Sequence, residues 1–234
     1  MIGIHDCGGF HNLGPIQAKD DMVFHERWEG TTFGLLLVAG TVGTWALDEF
    51  RHIIEQMSPA DYINTPYYVH WLESIEELLV RDGYVTRDEL NARQADIRAG
   101  KEFPAPTGTP DATVVEKLRQ GANNIAYVGL GARRDDKPQN FVVGSRVKTA
   151  LRPVPGHTRL PRFVWGKEGV ILSYSGTYPL ADTMAHRRGE NAEPTYAVRF
   201  EGTELWGSEA ESNTSVTLDL YESYIDSVIA PAAH

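Results

Sequence analysis

Two arginines stand where their side chains could do chemistry. Arg51 lies in Leu47-Asp48-Glu49-Phe50-Arg51-His52, beside an apolar helical stripe. Arg159 lies in Pro155-Gly156-His157-Thr158-Arg159, just ahead of a strand signal at Phe163 to Trp165. A guanidinium offers a fixed fork of N–H donors and can grip an anionic oxygen. The plainer roles are an i,i+4 ion pair of Arg51 with Glu55, worth about a few tenths of a kcal/mol, and a solvated Arg159 at a sheet rim. His157 reads as a turn residue that bonds backbone. Tyr67 and Tyr68 open a helix and read as packed rings, with one phenol in need of a partner. Asp48 and Glu49 are adjacent, so on a helix they point about 100° apart. They are no carboxylate pair and suit the positive end of a helix dipole.

The usual self-contained catalytic sets are missing from the sequence. It has no glycine-rich phosphate loop, no G-x-S-x-G and no H-E-x-x-H. The 8 histidines are scattered, with no cysteine or acid at ligand spacing. A single cysteine, Cys7, excludes an internal disulfide and cannot build a thiolate cage, so no metal ligand is expected in this chain. The net charge is -10, from 32 acids against 22 bases without Lys/Arg blocks, which argues against nucleic acid or anionic membrane as partner. The N-terminus lacks a basic stretch followed by an apolar core. The longest apolar run, Phe33 to Leu47, is broken by glycines and threonines and falls short of the roughly 20 residues a bilayer needs. A soluble cytoplasmic protein is expected.

The elements that must position these residues change character near residue 140. Before it, helix signals dominate. Asp20 and Asp21 can cap a helix running towards Trp28, and Phe33 to Val42 suggests a buried helix. Phe50, Ile53, Ile54 and Met57 make one stripe over Leu47 to Met57. Ser58-Pro59 and Thr65-Pro66 each read as N-cap and first helical residue. The second starts the longest helix, to Arg81, with Tyr68, Trp71, Leu72, Ile75, Leu78 and Leu79 on its buried face. Thr86 with Glu89 is a capping box. Ala112 to Gln120 reads as a short helix. After residue 140 the period becomes 2. Strands are expected at Phe141–Val143, Ser145–Thr149, Phe163–Trp165, Gly169–Tyr174, Thr195–Phe200 and Ser215–Tyr221, folding as a small antiparallel barrel. The class is α+β, divided as an arm (1–18), a helical domain (19–122), a connector (123–140) and a barrel domain (141–234). The arm, glycine-rich yet apolar at Ile4, Phe10 and Leu13, is either a frayed end or a segment lying on another surface.

An ordered set of motifs resembles the nitrile hydratase beta subunit family along nearly the whole chain. These are Gly3-Ile4-His5-Asp6, Leu13 to Ile16, Phe24 to Glu29, Leu47 to His52, Pro66 to Trp71 and Pro155 to Arg162. Pro194 to Phe200, Glu204 to Gly207 and Asp219 to Ile225 complete it. The resemblance implies an SH3-like barrel and hydration of a small-molecule nitrile to an amide. It implies a non-corrin Co(III) or Fe(III) held by an alpha-subunit partner through a C-x-x-C-S-C motif with two oxidised cysteines. The assembly would be αβ or α2β2. Arg51 and Arg159 match arginines that hydrogen-bond the oxidised cysteine oxygens. Tyr67 matches a tyrosine of that hydrogen-bond network and His157 a supporting histidine. Leu36, Leu47 and Phe50 match positions lining the nitrile pocket, and the arm would contact the alpha subunit. Tyr68 to Trp71 is nearer the cobalt type, whereas Val154 to Gly156 and Tyr178 to Gly189 are nearer the iron type, so the metal stays open. A thiocyanate hydrolase-type subunit, a metal-insertion accessory protein and a plain SH3-like binding module are the alternatives.

Overall fold

In the computed structural model the described residues are 3–10, 14–15, 18, 22–41, 45–104, 108–109, 111–123, 133–151 and 155–229. The expected caps Asp20 and Asp21 lie outside them, as does Leu13. The chain divides into two units, Lys19–Leu130 and Met1–Ala18 with Gly131–His234. No helix among the described residues is long and apolar enough to cross a membrane.

The first unit is helical. It contains α1 (Arg27–Thr41), α2 (Leu47–Glu55), α3 (Pro59–Asn64), α4 (Tyr67–Arg81), α5 (Arg87–Arg98) and α6 (Ala112–Asn123). Local capping explains most of the boundaries. The Glu29 carboxylate accepts the His25 and Glu26 N–H groups at 2.6 and 3.2 Å, tying the residues just ahead of α1 to its first turn. The Ser58 hydroxyl accepts from the Asp61 N–H, and Thr86 with Glu89 forms the capping box of α5. One start shifts by a residue: Pro66 is the N-cap of α4, and Tyr67 is its first helical residue. Ile75 and Leu78 are fully buried and centre a core with Ala39, Trp45 and Phe50. Helix α1 is less buried than its composition suggests, because Phe33, Leu35 and Val38 remain exposed on it.

The second unit holds an antiparallel five-stranded sheet in the order β4-β3-β2-β1-β5. Its strands are β1 (Arg146–Thr149), β2 (Glu168–Tyr178), β3 (Glu193–Glu201), β4 (Ser215–Tyr221) and β5 (Ile225–Val228). Two short helices, α7 (Ala181–Met184) and α8 (Gly202–Trp206), interrupt it. The expected small antiparallel barrel is not closed: among the described residues no pairing joins β4 to β5, so the sheet is open. It nevertheless curls. Only the 3-10 turn Glu222–Tyr224 connects these opposite edges. Four residues of chain reach at most about 14 Å, whereas a flat sheet would put the edges roughly 19 Å apart. Two expected strands are also corrected. Phe141–Val143 is not a strand, and Val142 and Val143 are exposed. Arg162–Val164 is a 3-10 turn capped at Pro161.

The arm segment Asp6 to Phe10 contacts its own chain. Asp6 accepts the Arg162 N–H at 3.1 Å. Gly8 and Gly9 lie against the Phe163 ring, which stacks on Trp206 at 6.4 Å. Gly9 has a φ of +76°, and a Cβ there would sit 2.9 Å from the Phe163 Cβ. Both the conformation and the contact therefore require glycine. We predict that Gly9→Ala releases this segment, read as faster amide exchange at Phe10, whose N–H bonds the Cys7 carbonyl. An unchanged exchange rate would contradict the docking.

Candidate functional site

The helical unit carries Leu36, Leu47, Phe50, Arg51 and Tyr67, and the sheet unit carries His157 and Arg159. Helix α2 is pinned to α4 by polar contacts at two adjacent residues, Glu49 and Phe50. The Glu49 carboxylate is 4% exposed and uses both oxygens. One accepts the Ala46 N–H at 2.9 Å, and the other accepts Arg81 Nη2 at 2.6 Å. A buried carboxylate left with one partner missing would cost several kcal/mol, so this pairing fixes the helix. The Ser74 hydroxyl adds a buried bond to the Phe50 carbonyl at 2.9 Å.

Arg51 follows directly. Its Nη1 donates to Asp48 Oδ1 at 3.0 Å, one turn back. The expected partner Glu55 instead faces His52 Nδ1 at 3.5 Å. The Arg51 side chain is 38% exposed, so the ion pair contributes at most about 0.5 kcal/mol. Its consequence is orientation: Asp48 holds Nη1 of the guanidinium from one turn back.

Leu36, Leu47 and Phe50 do come together. Phe50 is 3% exposed and belongs to the core, with its ring edge-on to Trp71 at 5.6 Å. Leu36 and Leu47 are half-buried at the margin of the same cluster. Tyr67 is 63% exposed, lies 5.6 Å from the Trp71 ring, and its hydroxyl has no hydrogen bond among the described residues. His70, one helical turn further on, stacks on Tyr62 at 4.9 Å. Its Nε2 is buried without a partner among the described residues.

The turn bearing Arg159 is held more tightly. The Tyr224 hydroxyl accepts the Arg159 N–H at 2.9 Å and the Thr158 hydroxyl at 3.2 Å. It donates in turn to Asp182 Oδ1 through a short bond. Burial raises the Tyr224 phenol far above its ordinary range, with Asp182 beside it adding to the effect. Burial also raises the Asp182 carboxyl, against the bonds it accepts from Tyr224 and Thr158. The neighbouring His157 is fully buried, and its N–H donates to His186 Nε2 at 3.2 Å. Arg159 itself is exposed, and its guanidinium pairs with no described residue. Asp182, His186 and Tyr224 were invisible to pattern reading because their partners lie 24 to 66 positions away. Pro155-Gly156, a tight-turn signal, was the available hint.

Two guanidinium groups thus stand on held backbones, Arg51 on helix α2 and Arg159 on the turn bonded to Tyr224. The only cysteine, Cys7, is exposed, so the described residues form no thiolate cage. The family model for the nitrile hydratase beta subunit N-terminal domain matches residues 1–121, and the model for its C-terminal domain matches residues 131–227. The cobalt-containing nitrile hydratase beta subunit of Pseudonocardia thermophila is 37% identical over 100% of this chain and 99% of its own. The low-molecular weight cobalt-containing nitrile hydratase beta subunit of Rhodococcus rhodochrous is 35% identical over 96% of this chain and 99% of its own. The thiocyanate hydrolase beta subunit of Thiobacillus thioparus matches at 28% identity over 40% of this chain and 59% of its own. The chain belongs to the nitrile hydratase beta subunit family.

The Tyr224 network generates a direct stability prediction. Tyr224→Phe removes the acceptor of the Arg159 N–H and the donor to the half-buried Asp182. Leaving those groups unpaired should cost about 1–3 kcal/mol. Denaturant unfolding of the sheet unit measures it, and an unchanged midpoint would contradict the network.

Proposed function

We propose that this chain is the beta subunit of a nitrile hydratase and works with an alpha subunit to hydrate nitriles to amides. The observation that carries the reading is the family match through both units. The match to a thiocyanate hydrolase subunit covers less than half of the chain and supports that alternative less well.

The metal belongs to the partner in this reading. It is a non-corrin cobalt(III) or iron(III) centre, with cobalt favoured by the names of two relatives. With a single exposed cysteine, this chain fits the role of donor to that centre and not of ligand. The bound metal supplies Lewis acidity towards the nitrile and its attacking oxygen.

This chain supplies orientation. Arg51 and Arg159 donate charge-assisted hydrogen bonds to the oxidised cysteine oxygens of the alpha subunit. Such bonds are shorter and stronger than neutral ones, and the planar fork adds geometric specificity. Donors already held in place need no reorganisation as the reaction proceeds. Asp48 orients the first arginine, and the Tyr224 network holds the backbone of the second. Tyr67 offers its phenol O–H to the same network, and buried His157 supports the Arg159 turn. Leu36 and Leu47 wall the nitrile pocket, with Phe50 packed behind them. The curled sheet is the SH3-like module of the subunit, and the alpha and beta chains assemble as αβ or α2β2.

Lysine keeps the charge of arginine and loses the fork. In the alpha–beta complex, Arg51→Lys and Arg159→Lys should each lower turnover roughly 10- to 100-fold, with thermal midpoint and metal content retained. Wild-type turnover in both variants at full metal loading would reject the roles given to the arginines.

A further inference from the structure

The short helix α7 acts on the Arg159 turn from both sides. Near its start, Asp182 accepts from the Tyr224 hydroxyl that receives the Arg159 N–H. Two residues beyond its end, His186 reaches the other side of the same turn. Its Nε2 accepts the His157 N–H at 3.2 Å. The imidazole also closes directly on Gly156: a Cβ at that position would lie 2.1 Å from His186 Nε2. Gly156 has a φ of +85°, so the turn needs glycine both for its backbone and for the space the imidazole takes.

This arrangement specifies the state of the imidazole. A backbone N–H can only donate, so His186 Nε2 must be the acceptor, and the ring proton sits on Nδ1. Burial first, then Arg188 and His157 nearby, hold the imidazole below its ordinary pKa, against the opposing pull of Asp182. The neutral acceptor is therefore the form present near neutral pH.

We propose that His186 is a positioning residue for Arg159, its neutral imidazole locking the Gly156–His157 end of the turn from which Arg159 projects. This rests on the role given to Arg159 in the proposed function. His186 touches no reacting group. It sets the backbone two and three residues before Arg159, while Tyr224 and Asp182 set the backbone at Arg159 itself. Removing the acceptor loosens the Gly156–His157 end of the turn, and the guanidinium then samples orientations that miss the partner's oxygens.

The test uses the alpha–beta complex with three substitutions. His186→Leu removes the acceptor, and His186→Gln restores one with its side-chain carbonyl. Arg159→Lys provides the reference for a double-mutant cycle. His186→Leu should lower kcat roughly tenfold with little change in KM. It should speed amide hydrogen exchange in residues 156–160, and His186→Gln should recover most of both. In the Arg159→Lys background, His186→Leu should cost less than about twofold further, because the two changes remove one function. Wild-type turnover by Arg159→Lys would overturn the site reading and this proposal with it. A defective Arg159→Lys combined with wild-type turnover in His186→Leu would overturn the proposal alone. So would unchanged exchange in residues 156–160, or full multiplication of the two defects.

Discussion

The Tyr224 hydroxyl is the contact on which the Arg159 turn depends. It takes the Arg159 N–H and the Thr158 hydroxyl and passes its own proton towards Asp182. Each partner is costly to leave unmade in a buried setting. The network joins the 3-10 turn Glu222–Tyr224, helix α7 and the turn ahead of β2, three segments far apart in the chain. It holds the turn that follows Pro155-Gly156, from which an exposed guanidinium projects.

The helical unit solves the same problem differently. Arg51 sits on a helix, so its backbone is already rigid. What must be fixed is the helix itself and the direction of the side chain. Glu49 with Arg81 and Ser74 with the Phe50 carbonyl fix the helix against α4. Asp48 then sets the direction from one turn away. Two cations are thus presented by unrelated means, one by helix packing and one by a clamped turn.

Elements with local chemical signals were legible in the sequence. Ser58-Pro59 and the Thr86–Glu89 box mark real helix starts, and the alternation of Ser215–Tyr221 marks a real strand. Misreadings occurred where tertiary context decides. Phe141–Val143 has strand composition but leaves its valines exposed, and Phe163–Trp165 is drawn into a 3-10 turn after Pro161. Strand β5 reads Ile-Asp-Ser-Val, too short and polar to declare itself, and its pairing with β1 leaves the sheet open rather than closed. At the site, Arg51 and Arg159 stood out by residue type. The partner of Arg51 was misjudged because i,i+3 and i,i+4 acids compete on one helical face. The clamps on Arg159 are long-range, and no periodicity reports them. The arm, ambiguous between a frayed end and a docked segment, has Gly8 and Gly9 on Phe163 of the same chain.

In the proposed function this chain holds donors for chemistry centred on an alpha subunit. The most direct measurement is native mass spectrometry with metal analysis of this chain isolated from its host. The account predicts an equimolar complex with an alpha subunit that carries the cysteine motif and cobalt or iron. It also predicts nitrile hydration by that complex and none by this chain alone. Isolation without such a partner, or metal-dependent nitrile hydration by the chain by itself, would contradict it.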